Sequence, residues 1–165
     1  MKSQKIEYSD IRDVINQIAD EINTDLGEKK KEKYFQDVIL LYSFVENLLK
    51  WLVFTKILWD KSERGLDQDE IKAIGKYCQR LTFHSSSHMA LSLNLIDFKL
   101  YKTIDDIRNQ RNTVVHQFWI YSHRNNRLVL RKKLEKLAAV ANQLVGVFND
   151  LTNEMGVDFV YELQL

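Results

Sequence analysis

The segment from Lys31 to Lys61 is apolar on two sides and contains neither glycine nor proline. Its main apolar side carries Tyr34, Phe35, Val38, Leu41, Tyr42, Val45, Leu48, Leu49, Leu52 and Ile57, and its second side carries Phe44, Trp51, Phe54, Leu58 and Trp59. A helix of this kind usually packs against two neighbours, either both inside one bundle or one across a dimer interface. The segment therefore predicts a long helix within a helical bundle and leaves homodimerisation open.

The rest of the chain also favours long, uninterrupted helices over sheet. It has 165 residues, no proline and five glycines, and 45% of its residues are hydrophobic, which predicts a single all-α domain over residues 1–165. We expect a four- to five-helix bundle with a short irregular or hairpin-like segment near residues 120–127 and a strand-like tail. The five main helices expected are Tyr8–Thr24, Lys31–Lys61, Asp67–Phe83, Lys99–Phe118 and Leu128–Met155. Asp67 or a neighbour is the expected N-cap of the third, and a short helix at His88–Ile96 precedes the fourth.

The helix Lys99–Phe118 contains an arginine where its pattern calls for an apolar residue. At about 100° per residue, one narrow stripe carries Ile104, Ile107, Val114 and Phe118, and Arg111 falls in its middle. A guanidinium keeps its charge, so Arg111 must pair with an acid such as Asp105 or Glu46, face a cleft, or face a partner subunit. Asn112 and His116 are four residues apart and share a helix face.

The segment Arg111-Asn112-Thr113-Val114-Val115-His116 resembles the signature of the HEPN superfamily, an arginine, a polar residue, three further residues and a histidine. The resemblance implies a HEPN-like all-α bundle, commonly dimeric, and many members are metal-independent ribonucleases of toxin–antitoxin, phage-defence or RNA-processing systems. It implies that Arg111 and His116 are catalytic and that Asn112 assists them, with RNA as substrate, no cofactor, and an antitoxin or other regulatory protein as a further partner.

One position departs from a branch of that superfamily. Some of its toxins carry a tyrosine two residues after the motif histidine, where a partner nucleotidyltransferase modifies it. This chain has Phe118 there, so that form of regulation is not carried over.

Basic residues near the motif are candidate RNA contacts. The whole chain is nearly neutral, with 24 basic and 23 acidic residues, so contact with a polyanion must come from local clusters. We expect RNA binding by Arg108, Arg124, Arg127 and Arg131. The alternatives are that Arg108 is a surface residue bonded to Asp105 and that the others form a solvated helix face.

A catalytic site at this motif has a geometric requirement, and two other interpretations of the motif stay open. On an ideal helix Arg111 and His116 point about 140° apart, so a catalytic site needs a loosened helix, the length of the arginine, or a two-fold axis that gathers residues from two subunits. The protein could instead be a non-catalytic dimer that binds nucleotide, RNA or a partner protein. It could also be a structural adaptor in which the motif has no role.

We expect no metal site and a cytoplasmic location. His84 and His88 have the spacing of zinc ligands on a helix, but the intervening serines argue against a firm helix. The single Cys78 fits a reducing compartment, and the N-terminus lacks the apolar core of a signal peptide. Val38–Phe54 is very apolar but contains Glu46 and Lys50 (Lys50 follows Glu46 by four residues), which favours a buried helix over a membrane span.

Overall fold

Five α-helices make up most of the described part of the chain. The structure is a computed structural model, and it describes residues 33–62, 64–116 and 127–155 together with residues 17, 18, 20, 21, 23 and 24. The helices are α1 (Tyr34–Ser62), α2 (Gln68–Arg80), α3 (Phe83–Ser92), α4 (Phe98–His116) and α5 (Arg127–Glu154). The six described residues between 17 and 24 are also helical, and no strand occurs in the described part of the chain. The prediction of an all-α bundle is confirmed.

Helix α1 lies at the centre of the bundle and contacts each of the other four helices. Leu41, Leu49, Leu52 and Val53 are fully buried, and burial of each such side chain contributes about 1.5–3 kcal/mol to folding. The second apolar side is covered less completely, since Trp51 is only partly buried. Packing inside one bundle therefore accounts for much of the two-sided pattern, and homodimerisation stays a prediction.

Helices α4 and α5 complete the core beside α1. The stripe predicted on α4 is confirmed for Ile104, Ile107 and Val114, which are all buried. Phe118, the fourth member of that stripe, lies outside the described residues. From α5, Leu134 and Leu144 are fully buried against the same core. The motif helix is thus fixed along its length by apolar contacts that leave its opposite face to solvent.

The predicted helix Asp67–Phe83 begins as expected but ends early. Asp67 is the N-cap, because its side chain accepts hydrogen bonds from the backbone N–H groups of Asp69 and Glu70, both at 2.8 Å. The Asp67 N–H in turn donates to Glu70 Oε2 at 3.2 Å, which completes a capping box. The helix stops at Arg80.

The short helix predicted over His88–Ile96 is wrong at both ends, since α3 covers Phe83–Ser92. Thr82 starts it as the N-cap and accepts a hydrogen bond from the Ser85 N–H at 3.1 Å. The serines that were expected to break the helix instead bond within it. Ser86 Oγ donates to the Phe83 carbonyl at 3.0 Å and Ser87 Oγ donates to the His84 carbonyl at 2.8 Å. Both serines are fully buried. Because each hydroxyl is hydrogen-bonded, neither leaves an unpaired polar group in the core.

Other predicted segments lie outside the described residues. These are most of the helix Tyr8–Thr24, the segment 120–127 apart from the backbone of Arg127, and the tail 157–165. Helix α5 begins at Arg127 and ends at Glu154, within one residue of the predicted Leu128–Met155.

Helix α1 is also long and apolar enough to cross a membrane, by length and composition alone. The relevant window is 56% buried against the rest of the structure. A core helix passes the same test, so the finding gives weak evidence, and the cytoplasmic location stays a prediction.

The N-cap at Thr82 can be tested by mutation. We expect Thr82→Ala to lower the free energy of unfolding by about 1 kcal/mol, because the first turn of α3 loses its acceptor. Urea denaturation followed by circular dichroism measures the change. The control is Thr103→Ala within α4, where the hydroxyl donates to the Lys99 carbonyl of its own helix at 3.0 Å and caps no helix start. An equal loss in both variants would contradict the role of Thr82.

Two glycines are expected to respond oppositely to alanine. Gly75 lies inside α2, and a Cβ added there would meet only Phe54 Cε2, at an ordinary 3.7 Å. Gly75→Ala should therefore raise the free energy of unfolding by about 0.5–1 kcal/mol. Gly65 has φ +70° in the turn after α1, so Gly65→Ala should lower it by about 1 kcal/mol. Urea denaturation measures the free energy of unfolding of both variants. A change of the same sign in both would contradict the prediction that the two glycines have different roles.

Candidate functional site

Arg111 forms an ion pair with Glu46, which lies on the neighbouring helix α1. Arg111 Nη1 donates to Glu46 Oε2 at 2.7 Å. The Arg111 side chain is 36% exposed and that of Glu46 is 18% exposed. Pairing with Glu46 was one of the predicted ways to place a permanent cation in an apolar stripe, and the structure shows it. The carboxylate fixes the guanidinium while part of it remains open to solvent.

Glu46 also holds a second cation. Lys50 follows it by one turn of α1, and Lys50 Nζ lies 3.0 Å from Glu46 Oε1. Each carboxylate oxygen therefore meets one positive group, and Arg111, Glu46 and Lys50, here named the Arg111 cluster, keep a net positive charge. Among the described residues Arg111 donates only to Glu46, and a guanidinium carries five N–H donors in a planar fork. Such a fork of donors is suited to phosphate oxygens.

The rest of the motif does not join this cluster within the described residues. Asn112 is exposed and bonds through its side chain to no described residue. His116 is the last residue of α4, and its side chain lies outside the description. Helix α4 covers positions 111 and 116, and on a regular α-helix these two positions lie about 140° apart around the axis.

Arg108 is held by its own helix. Its Nε donates to Asp105 Oδ1 at 2.9 Å, its Nη2 lies 2.8 Å from the same oxygen, and Nη2 also donates to Asn109 Oδ1 at 3.0 Å. The predicted bond between Arg108 and Asp105 is therefore present, and it partly neutralises the charge of the guanidinium. RNA binding by Arg108 stays a prediction.

The basic residues of α5 are divided between ion pairs and helix contacts. Arg131 Nε bonds to Glu135 Oε1 at 3.0 Å, and both side chains are more than half exposed. Lys133 Nζ donates to Gln110 Oε1 at 3.1 Å and so joins α5 to α4. Burial, together with the charge of Lys136, lowers the pKa of Lys133. Arg124 and the side chain of Arg127 lie outside the described residues, and RNA binding by these two residues stays a prediction.

A cluster of histidines was not predicted as a unit. Because α3 is a firm helix, His84 and His88 share a face, and their ring centroids lie 4.3 Å apart. His88 Nε2 and the Tyr101 hydroxyl are hydrogen-bonded at 2.8 Å, and His84 Nδ1 lies 4.0 Å from Asp105 Oδ1. The available signal was the spacing of four residues between His84 and His88 and between Tyr101 and Asp105. Within the described ranges no group of three or more histidine, cysteine or acidic residues is placed to hold a metal ion.

A pocket of about 300 Å³ between α1 and α2 was also not predicted. Trp51 and Phe54 form its aromatic walls, with centroids 5.7 Å apart and ring planes at 82°. Cys78 contributes a buried thiol, and burial raises its pKa, so the thiol is protonated and unreactive near neutral pH. Lys50 belongs both to this pocket and to the Arg111 cluster.

A wider groove of about 570 Å³ lies between the start of α4 and the middle of α5. Its charged side chains are of both signs, Asp97 and Asp150 together with Lys99 and Lys136. The charged side chains that line the groove therefore carry no excess of positive charge.

Comparison with known proteins identifies no relative. No protein-family model matches the chain, and no match was found among curated proteins or solved structures. The resemblance to the HEPN superfamily rests on the segment from Arg111 to His116 and on the order of the helices, and it stays a prediction.

The contribution of Glu46 to stability can be measured directly. Glu46→Gln leaves Arg111 and Lys50 side by side without their shared carboxylate, and we expect the free energy of unfolding to fall by about 1–2 kcal/mol. The matched control is Glu135→Gln, which breaks the exposed pair with Arg131 and should cost less than about 0.5 kcal/mol. Urea denaturation at low and high salt measures both. Equal small losses would show that Glu46 does not organise the cluster.

Proposed function

We propose that the protein is a metal-independent RNA endonuclease of HEPN type, in which Arg111 and His116 carry the chemistry. As a toxin or defence effector it would be regulated by an antitoxin or similar protein, in the cytoplasm. One observation carries the proposal. The motif arginine is fixed by Glu46, remains 36% exposed, and belongs to a cluster with excess positive charge.

The proposed reaction uses the substrate's own nucleophile. The ribose 2′-oxygen attacks the adjacent phosphorus while the bond from phosphorus to the 5′-oxygen breaks. His116 removes the proton from the 2′-hydroxyl or supplies one to the leaving 5′-oxygen, and water accepts or supplies the other proton. Arg111 stabilises the additional negative charge on the phosphorus centre. The products are a 2′,3′-cyclic phosphate and a 5′-hydroxyl, and Asn112 orients the imidazole or binds a phosphate oxygen.

A homodimer is part of the proposal because one helix does not bring the two residues together. Arg111 points toward α1, where it meets Glu46, whereas His116 lies about 140° around the helix. A two-fold axis near the end of α4 would place the arginine of one subunit near the histidine of the other.

A second function follows from the same geometry. Arg111 donates one hydrogen bond to Glu46, which fixes its position. A guanidinium held in this way can bind a phosphate without taking part in a reaction. In that case the protein is a non-catalytic homodimer that binds nucleotide or RNA. His116→Ala would then leave binding intact, whereas Arg111→Ala would abolish it.

The test is cleavage of labelled total RNA in EDTA by the wild type and by Arg111→Ala and His116→Ala. We expect the wild type to leave cyclic phosphate ends and each variant to lose at least about 100-fold in rate, because each removes one transition-state interaction. Gel electrophoresis and end-group analysis give the rates. Asn112→Ala is expected to lose less.

The matched control is Arg64→Ala, which removes an exposed arginine in the turn after α1 and should cleave as the wild type does. Circular dichroism must show that all variants fold. Undiminished cleavage by both Arg111→Ala and His116→Ala would indicate a contaminating nuclease and would contradict the proposal. Absence of cleavage together with RNA binding lost only in Arg111→Ala would establish the non-catalytic alternative.

A further inference from the structure

The pocket between α1 and α2 adjoins the Arg111 cluster through one residue. Lys50 lines the pocket, and its ammonium group lies 3.0 Å from the same carboxylate that holds Arg111. An apolar cavity and a positively charged cluster are therefore neighbours on one surface. A ligand that spans the two needs a flat apolar part and an anionic part separated by a short linker.

The walls of the pocket suit a planar ring. Trp51 and Phe54 meet nearly at right angles, 82° between ring planes, so a ring that lies flat on one of them presents its edge to the other. Asn47 and Gln79 carry amide groups at the pocket, and an amide offers both a donor and an acceptor to the edge of a base. A volume of about 300 Å³ is at the small end for ligand sites and fits one ring system better than a peptide segment.

The charges beside the pocket suit a phosphate. Lys50 and Arg111 face one carboxylate between them, Glu46, so the cluster keeps a net positive charge. Stacking on aromatic side chains and cationic contact with the phosphate are the two contributions by which proteins bind single-stranded nucleotides.

Gly75 supports the same interpretation. It lines the pocket from inside α2, where glycine destabilises a helix relative to alanine. The added Cβ would meet Phe54 at only an ordinary distance of 3.7 Å, so packing does not demand a glycine. The position keeps open the space in front of Phe54.

We propose that this pocket binds the base of a nucleotide whose phosphate is held by Lys50 and Arg111. The inference rests on the proposed function in that it supplies the place where the RNA substrate would present one base beside the motif arginine. The ligand class is a nucleoside phosphate, either free or as one unit of an RNA strand.

Binding is measured by isothermal titration calorimetry with the full chain. The probes are adenosine 5′-monophosphate, ribose 5-phosphate, and a 2′-O-methyl oligoadenylate octamer, which cannot be cleaved by 2′-oxygen attack. We expect adenosine 5′-monophosphate to bind at least about tenfold more tightly than ribose 5-phosphate, because only the former carries a base to stack. Gly75→Met fills the pocket and should weaken binding of the base-bearing probes by a similar factor.

The matched control is Gly146→Met, which places the same side chain in the interior of α5, where a Cβ meets nothing within 4 Å. It should bind like the wild type. If Gly75→Met fails to fold, the double variant Asn47→Ala with Gln79→Ala replaces it, because both side chains are exposed. That variant should weaken binding of the nucleotide but not of ribose 5-phosphate.

Three results would overturn the proposed base site. They are equal affinity for adenosine 5′-monophosphate and ribose 5-phosphate, no binding of either base-bearing probe, and unchanged binding of both base-bearing probes by Gly75→Met. Sensitivity to Gly75→Met in one base-bearing probe alone supports it and identifies free nucleotide or RNA as the source. Failure of the proposed function is separate from these outcomes. It would appear as absent cleavage of ordinary RNA while base-dependent binding persists.

Discussion

Burial of helix α1 against four other helices is the interaction on which the rest of the structure depends. Its apolar side chains set the positions of α2, α3, α4 and α5 around it. The same helix carries Glu46 toward α4 and carries Trp51 and Phe54 toward α2. Loss of its packing would therefore remove the fold, the Arg111 cluster and the pocket together, since all three depend on the direction in which this one helix presents its side chains.

Placing a permanent charge on a core-facing stripe required a partner from another helix. Arg111 lies among Ile104, Ile107 and Val114 by phase, all of which are buried. Glu46 pairs with it across the helix interface at 2.7 Å, so the arginine is a partly exposed, paired cation and not an unpaired buried ion. A partly buried, paired arginine loses less conformational entropy on binding a ligand than a free one, because its position is already fixed.

Periodicity in the sequence predicts most of the described fold, and the failures have identifiable physical causes. The long helices α1, α4 and α5 follow from apolar spacing, and Asp67 is recognisable as an N-cap. The stretch from His84 to His88 was misjudged because serine can bond to its own helix, as Ser86 and Ser87 do. At the site, Arg111 stands out by its phase and Glu46 was one candidate partner. The pocket was not predictable, because Trp51 and Gly75 line it from different helices and its shape depends on how those two helices meet.

The shared carboxylate of Glu46 makes the joint between α1 and α4 sensitive to whatever approaches Arg111. Any anion at the guanidinium faces Glu46 as a like charge and as a rival acceptor. Binding of the anion to Arg111 therefore weakens the ion pair between Arg111 and Glu46, which joins α4 to α1. Such coupling is reciprocal: a change elsewhere in the bundle that loosens Glu46 from Arg111 would strengthen anion binding. Glu46 thus couples the contact between α1 and α4 to anion binding at Arg111.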